Sequence, residues 1–323
     1  MNPPADVRST CGRVMAKAMH VSIDSGELET LAQSLAGSAK LQLEGVSWDS
    51  SGWHYCADAA SAGPLTCQYV FVLDALNFCF WPSSSSLEYD NIATALKEVL
   101  EKDPTAFEAS RLAVLSPQQL ATWIPLHDLP ELEERALRLN ELGAALQTHF
   151  QGLAANLVAA ANGSAVSLVS LVLQYLPGFR DTSVYRGRLV HFYKRAQILV
   201  GDLWAAYGKC TPSTSSPYAF SDMDQLTMFA DYRVPQLLRN LGVLVYDGPL
   251  SATVDSKQEV PFGSPQEVEI RAATVVAVEQ LRAALAVRGL ALLAVEVDWL
   301  LWQTGEESKD RILPHHRTRT IYY

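Results

Sequence analysis

Two aspartates stand where an apolar chain would ordinarily exclude them. Asp231 follows the largely apolar run 226–230 in DQLTMFADYRVPQ, two residues before Arg233, and Asp298 interrupts EVDWLLWQTG between Val297 and Trp299. An ionised carboxylate removed from water costs several kcal/mol unless it gains donors or a counter-charge. Such a group therefore pairs within the fold or faces a cavity, where it can stabilise positive charge or accept from a ligand. The apolar spacing predicts a helix from Asp222 to Phe229, broken between Asp231 and Pro235 because proline disfavours helical geometry at Val234. That break points Asp231 into a cavity, or makes it a partner of Arg233, or a cap for a helix starting near Pro235. Around Asp298, Trp302 lies one turn on and Gln303 is close by. Acid, indole and amide suit the edge and face of a heterocycle. The alternative puts Trp299 and Trp302 in the core, with Asp298 on an arginine.

Other residues carry less specific chemistry. In LDALNFCFWP, strand alternation puts Phe78 and Phe80 on one face and Asn77, Cys79 and Trp81 on the other, as an aromatic pocket wall or a core strand. His54 in GWHYC is a lone histidine among aromatics. Lys194 and Arg195 follow HFY within a helical pattern, and the chain closes on LPHHRTRTIYY, whose Arg317 and Arg319 suit either a phosphate or a solvated tail. His315 and His316 are adjacent, a poor spacing for one metal. The sequence contains no H-E-x-x-H, P-loop, G-x-S-x-G or G-x-G-x-x-G. Cys11, Cys56, Cys67, Cys79 and Cys210 are odd in number and form no C-x-x-C, which argues for a reducing compartment and against a disulfide framework.

The elements that must position these residues follow from patterning. The chain has 323 residues, 49% hydrophobic and 19% charged, with a formal charge of −10, enough for a sizeable core. An acidic protein repels phosphate backbones, so nucleic acid is not an expected partner. No signal peptide and no apolar run of membrane-spanning length is evident, and a cytoplasmic setting is expected. AKLQLEGVSW and CQYVFVLDALNFCFW read as strands of a small sheet, with PSSSS as a loop. Helices are expected after Asp103-Pro104 and Ser116-Pro117, through PELEERALRLNELGAALQTHFQGLAANLVAAANG to Asn162-Gly163, and through YRGRLVHFYKRAQILVGDLWAAYG to Gly208. Further helices are expected from the capping box at Ser264–Glu267 to Gly289, and over ALLAVEVDWLLWQTG, with TPSTSSP as a surface loop. The fold class expected is α+β, predominantly α-helical, with the small sheet near the N-terminal end. It forms one compact unit over 1–323, of lobes 1–102 (mixed) and 103–323 (helical).

DALNFCFWP, FADYRVPQ, VDWLLWQ and LPHHRTRTIYY together resemble the queuosine salvage protein family, the queuosine 5'-phosphate N-glycosylases, in the family's order from Leu73 to Tyr323. The resemblance implies a helical core like that of DNA glycosylases, no cofactor, and hydrolysis of queuosine 5'-phosphate to queuine and ribose 5-phosphate. Asp231 falls on the aspartate of the DYRVP motif and is implied as the catalytic carboxylate, beside a sugar with oxocarbenium character. Arg233 would hold its geometry or its ionised form. Asp298, Gln303 and His54 would contact the base or its side arm, Phe229, Trp299 or Trp302 would stack on it, and Asn77, Phe80 and Trp81 would form walls. Lys194, Arg195 or the Arg317/Arg319 segment would take the phosphate. A DNA-repair glycosylase and a non-catalytic nucleoside-binding protein are the alternatives.

Overall fold

The computed structural model describes residues 2–37, 48–49, 51–82, 87–125, 129–209 and 216–323. Along the chain run α1 (Pro3–Met15), β1 (Val21–Ile23), α2 (Ser25–Ala36), α3 (Pro64–Leu76), α4 (Tyr89–Lys102), α5 (Ala109–Leu112), α6 (Pro117–Trp123), α7 (Leu132–His149), α8 (Ala154–Ala160) and α9 (Ala165–Tyr175). The hairpin β2 (Thr182–Tyr185) and β3 (Arg188–His191) leads to α10 (Lys194–Ala206). Then come α11 (Arg233–Asn240), β4 (Leu244–Tyr246), α12 (Gly248–Asp255), α13 (Pro265–Val287) and α14 (Ala294–Ser308). The protein is predominantly helical, with small two-stranded antiparallel sheets among the described residues. One pairs β1 with β4, segments far apart in the chain, Val21 opposite Tyr246 and Ile23 opposite Leu244.

The sheet lies elsewhere than the patterning predicts. Residues 67–76 form most of α3, not a strand. Every residue from Thr66 to Leu76 is buried, and a helix buried all round loses the 3.6-residue period that separates it from a core strand. Pro64 occupies its first turn, and Asp58 accepts from Leu65 N (2.8 Å) and Thr66 N (2.9 Å). At the other end two buried guanidiniums take the carbonyls that a helix terminus leaves open. Arg195 donates to Asp74 O (3.2 Å) and Ala75 O (2.8 Å), and Arg135 to Leu76 O, Phe78 O (2.5 Å) and Cys79 O (2.8 Å). Most of AKLQLEGVSW, most of PSSSS and much of TPSTSSP lie outside the described residues.

Other boundaries also move. Asp103 closes α4 and caps a turn through Thr105 N (3.0 Å), so no helix begins there, whereas the Ser116/Gln119 capping box does start α6. The long pattern to Asn162 is two helices, parted where Gln151 and Gly152 take positive φ. The segment from Tyr185 is not helical until Lys194. Arg186 and Gly187 (φ 48° and 73°) make a two-residue hairpin turn whose twist suits the strands, so YRGR was a turn signal. LPHHRTRTIYY is no solvated tail: His316, Thr318 and Tyr323 are buried, Val260 N donates to Arg317 O (2.8 Å), and Cys79 N donates to Tyr323 O (2.9 Å).

Candidate active site

Residues 226–230 form an extended, buried segment, preceded by a 3-10 turn at Met223–Gln225, where a helix was expected. Its backbone groups are claimed from all sides, which a helix would have to forgo. Arg8 donates to Gln225 O (2.7 Å) and Leu226 O (2.8 Å). Thr227 N donates to Gln197 Oε1 (2.9 Å), Phe229 N to Asp298 Oδ1 (3.0 Å), and Arg271 Nε to Ala230 O (3.1 Å). Gly201 on α10 makes room for this strap, since a Cβ there would meet the Phe229 ring at 3.0 Å.

The strap delivers Asp231 to the start of α11. Its Oδ1 accepts from Arg233 N (3.0 Å) and Val234 N (3.1 Å), with Pro235 in the first turn, where a missing N–H leaves no bond unmade. The cap reading and the cavity reading thus both apply to one side chain. Its other oxygen takes no hydrogen bond from the described residues. Asp231 and Asp298 line the same cavity, of about 350 Å³, together with Trp48, His54, Asn77, Phe80, Tyr89, Phe229, Trp299 and Trp302. One face of α10 supplies Lys194, Ile198, Asp202 and Ala205, with Lys209 just beyond the helix; the spacings of four, four, three and four follow its helical period.

Four buried carboxylates gather around the Lys194 ammonium. Burial raises the proton affinity of Asp231, opposed chiefly by Lys194 and the two backbone N–H groups. Asp298 goes well above the carboxylate range, by burial and then by repulsion from Asp231, with the Phe229 N–H opposing. Asp202 does likewise, through burial and Asp74, with Lys194 and a hydrogen bond from Trp48 opposing. Asp74, fully buried behind Asn77, is pushed up to about 7 by burial, and its Oδ2 has no hydrogen-bond partner among the described residues. Lys194 is itself pulled down by burial and held up by Asp231 and Asp74; its Nζ reaches Asn77 Oδ1 (3.4 Å). Burial lowers His54 to about 4, so the ring is neutral. Its Nδ1 donates to Trp48 O (2.8 Å), leaving Nε2 to accept from Tyr89 OH (3.0 Å), and the ring stacks on Trp48 at 4.0 Å.

Of the residues singled out from sequence, Asp231, Asp298, His54, Asn77, Phe229, Lys194, Trp299 and Gln303 line this cavity, the last exposed at its mouth. Arg233 and Trp81 do not. Arg233 turns its guanidinium to Glu306 (2.6 Å) and hydrogen-bonds Asp231 through its backbone N–H, its charge favouring the Asp231 carboxylate less than that of Lys194, and a Cβ on Gly305 would press on it at 3.0 Å. Trp81 donates to Thr318 O (3.2 Å). The strand alternation fails there too, because Cys79 has φ 51° and sends Phe78 to the core and Phe80 to the cavity. Arg195 serves α3, and Arg319 pairs at the surface with Glu131. Sequence reasoning missed Asp202 and Asp74, although each is a lone acid in an apolar helical run, the same signal that marked Asp298. Nothing local marks Trp48, Tyr89 or Lys209.

A helical scaffold that closes aromatic rings and buried carboxylates around a space of this size defines a class of protein built to enclose one small heterocyclic ligand. The chain belongs to the queuosine salvage protein family, whose profile matches residues 57–323. Proteins named queuosine 5'-phosphate N-glycosylase/hydrolase are similar over their whole length. Those from Sphaerobacter thermophilus and Dictyostelium discoideum are 42% and 40% identical, and that from Mus musculus 31%, each match covering 100% of both chains.

Proposed function

We propose that this protein hydrolyses the N-glycosyl bond of queuosine 5'-phosphate, releasing queuine for return to transfer RNA, and ribose 5-phosphate. The observation that carries this reading is the meeting of Asp231 and Asp298 in one aromatic cavity, in a chain similar along its full length to enzymes of that name. As the bond to the base lengthens, the anomeric carbon becomes cationic. The free oxygen of Asp231 stabilises that charge and takes a proton from the attacking water. Its bonded oxygen is fixed by the α11 N–H groups, so little reorganisation accompanies the reaction.

Asp298 holds the guanine-like edge. Among the described residues it has one hydrogen-bond donor, the Phe229 N–H, and the ring and exocyclic N–H groups of the base supply further donors. Phe229, Trp299 and Trp302 offer ring faces, His54 a neutral ring, Asn77 and Phe80 a wall, and Gln303 an amide at the mouth. Arg233 acts on Asp231 through its backbone. Lys194 and Lys209 are the cations among the described lining residues, and they supply the positive charge a 5'-phosphate requires. The formal charge of −10 sets this local positive charge in an acidic protein that repels long nucleic acid. Among the described residues no helix is long and apolar enough to cross a membrane, and Cys11, Cys56, Cys67 and Cys79 are free thiols, which supports a cytoplasmic setting.

The direct test incubates purified protein with queuosine 5'-phosphate and follows free queuine by chromatography, with queuosine in parallel. The near-isosteric Asp231→Asn variant separates enzyme from binder. Lost turnover with queuine still bound supports the mechanism, and unchanged release removes Asp231 from it.

A further inference from the structure

The reading above leaves the departing base with an unsolved demand. A 7-deazapurine has carbon at position 7, so the protonation open to guanine there is closed, and an anionic heterocycle is a poor leaving group. The cavity holds an acid that neither stabilisation of the sugar nor recognition of the base edge uses. Asp202 sits on α10 eight residues from Lys194, on the same helical face, and lines the cavity with Ile198 between them.

We propose, resting on the glycosidase reading, that Asp202 is the general acid of the site and delivers its proton to the departing heterocycle. The bond between the anomeric carbon and the base nitrogen breaks with its electron pair going to the base. The Asp202 proton follows onto the heterocycle, which leaves neutral. Water adds to the anomeric carbon and gives its proton to the Asp231 carboxylate. Exchange with solvent then returns a proton to Asp202 and removes one from Asp231, so the cycle closes without a further reactant.

The surroundings of the two carboxyls divide these roles. Asp231 has two backbone N–H donors and the Lys194 charge, which favour the carboxylate. Asp202 is fully enclosed, receives a hydrogen bond from Trp48, and faces like charge from Asp74 on α3 and Asp298 on α14; only Lys194 opposes them. The remaining titratable neighbours, Tyr69 on α3 and Tyr89 on α4, stay as neutral phenols because burial raises both. Arg195 adds positive charge at Asp74 and Arg233 at Asp231, whereas Asp202 has Lys194 alone, shared with three other carboxyls, so Asp202 is among the carboxyls least furnished to lose a proton. Two carboxyls whose environments drive their proton affinities apart are the usual basis of an acid and base pair.

The test uses the full chain and three measurements. In Asp202→Asn, an amide that still donates but holds no transferable proton, kcat on queuosine 5'-phosphate is expected to fall by about a hundredfold or more. Direct titration of queuine should then give a Kd within about threefold of the parent, showing a folded and formed site; the alkaline limb of the kcat/KM profile should vanish. In Asp74→Asn, which leaves Asp202 in place, loss of the neighbouring negative charge should move that limb to lower pH. Parent-like kcat in Asp202→Asn, or an alkaline limb unmoved by Asp74→Asn, overturns the assignment while the glycosidase reading stands. Failure of the parent protein to release queuine overturns both.

Discussion

Two regions of this protein bury several charges each, and they are built on opposite plans. Beneath α13, Arg271 forks onto both oxygens of Asp181 (2.9 and 2.6 Å) and lies 3.6 Å from Glu267, which also accepts from Tyr323 OH (2.8 Å). Asp181 accepts the Lys194 N–H as well, and Glu269 nearby accepts three backbone N–H groups and Tyr185 OH. There, carboxylates are matched by donors. Around Lys194, Asp202, Asp231 and Asp298 on the cavity wall and Asp74 behind it have few donors, and Asp74 Oδ2 has none among the described residues. The lesson is one of position: matched charge fixes the frame, while unmatched charge is left where a ligand can complete it. The two are joined, since Arg271 holds the carbonyl of Ala230 and Asp181 the N–H of Lys194, so the matched network places the unmatched one.

The strongest way to break this contrast is Arg271→Met. It leaves Asp181 and Glu267 buried without a cation, and a loss of about 3–5 kcal/mol of stability is expected in a denaturant titration. Asp231→Asn should behave in the opposite way. We expect kcat to fall by about 10²–10³, on the order of 3–4 kcal/mol of transition-state stabilisation, with the unfolding midpoint unchanged or raised. A matching fall in stability would mean Asp231 belongs to the frame.

Asp74→Asn sharpens the comparison through pH. The folded protein holds the Asp74 proton up to about 7, whereas the unfolded chain releases it near the ordinary carboxylate value. The unfolded state therefore binds fewer protons between those limits, and this group's contribution to stability falls as pH rises through the window. The variant should be more stable than the parent at pH 8 by roughly 1–2 kcal/mol and no more stable at pH 4. The smallest effect belongs to the exposed pair of Lys102 and Glu98 (3.2 Å). Lys102→Gln should cost under about 1 kcal/mol and leave kcat unchanged.

Much of the site was legible because its chemistry violates local expectation. A carboxylate among apolar residues marks itself, as Asp231 and Asp298 did, and Asp202 and Asp74 carried the same mark unread. The frame was harder to read. α3 passed for a strand because burial on every side erased its period, and the strap before Asp231 passed for a helix because its spacing fits one. Its extended form depends on Gln197, Asp298, Arg271 and Arg8, whose contributions have no trace within residues 226–230.

By itself, the order of residues determined the helical class, the caps of α6 and α13, and the presence of acids that must find a partner. Only the tertiary structure decided which partner each acid found. Arg233, two residues from Asp231, points its guanidinium to Glu306, while Lys194, from a distant helix, supplies the larger share of the positive charge. Sequence proximity sets which backbone groups a side chain can reach. The field at a buried carboxylate is set by charges brought near through packing, and burial, by excluding water, makes that field strong enough to choose between carboxylate and acid.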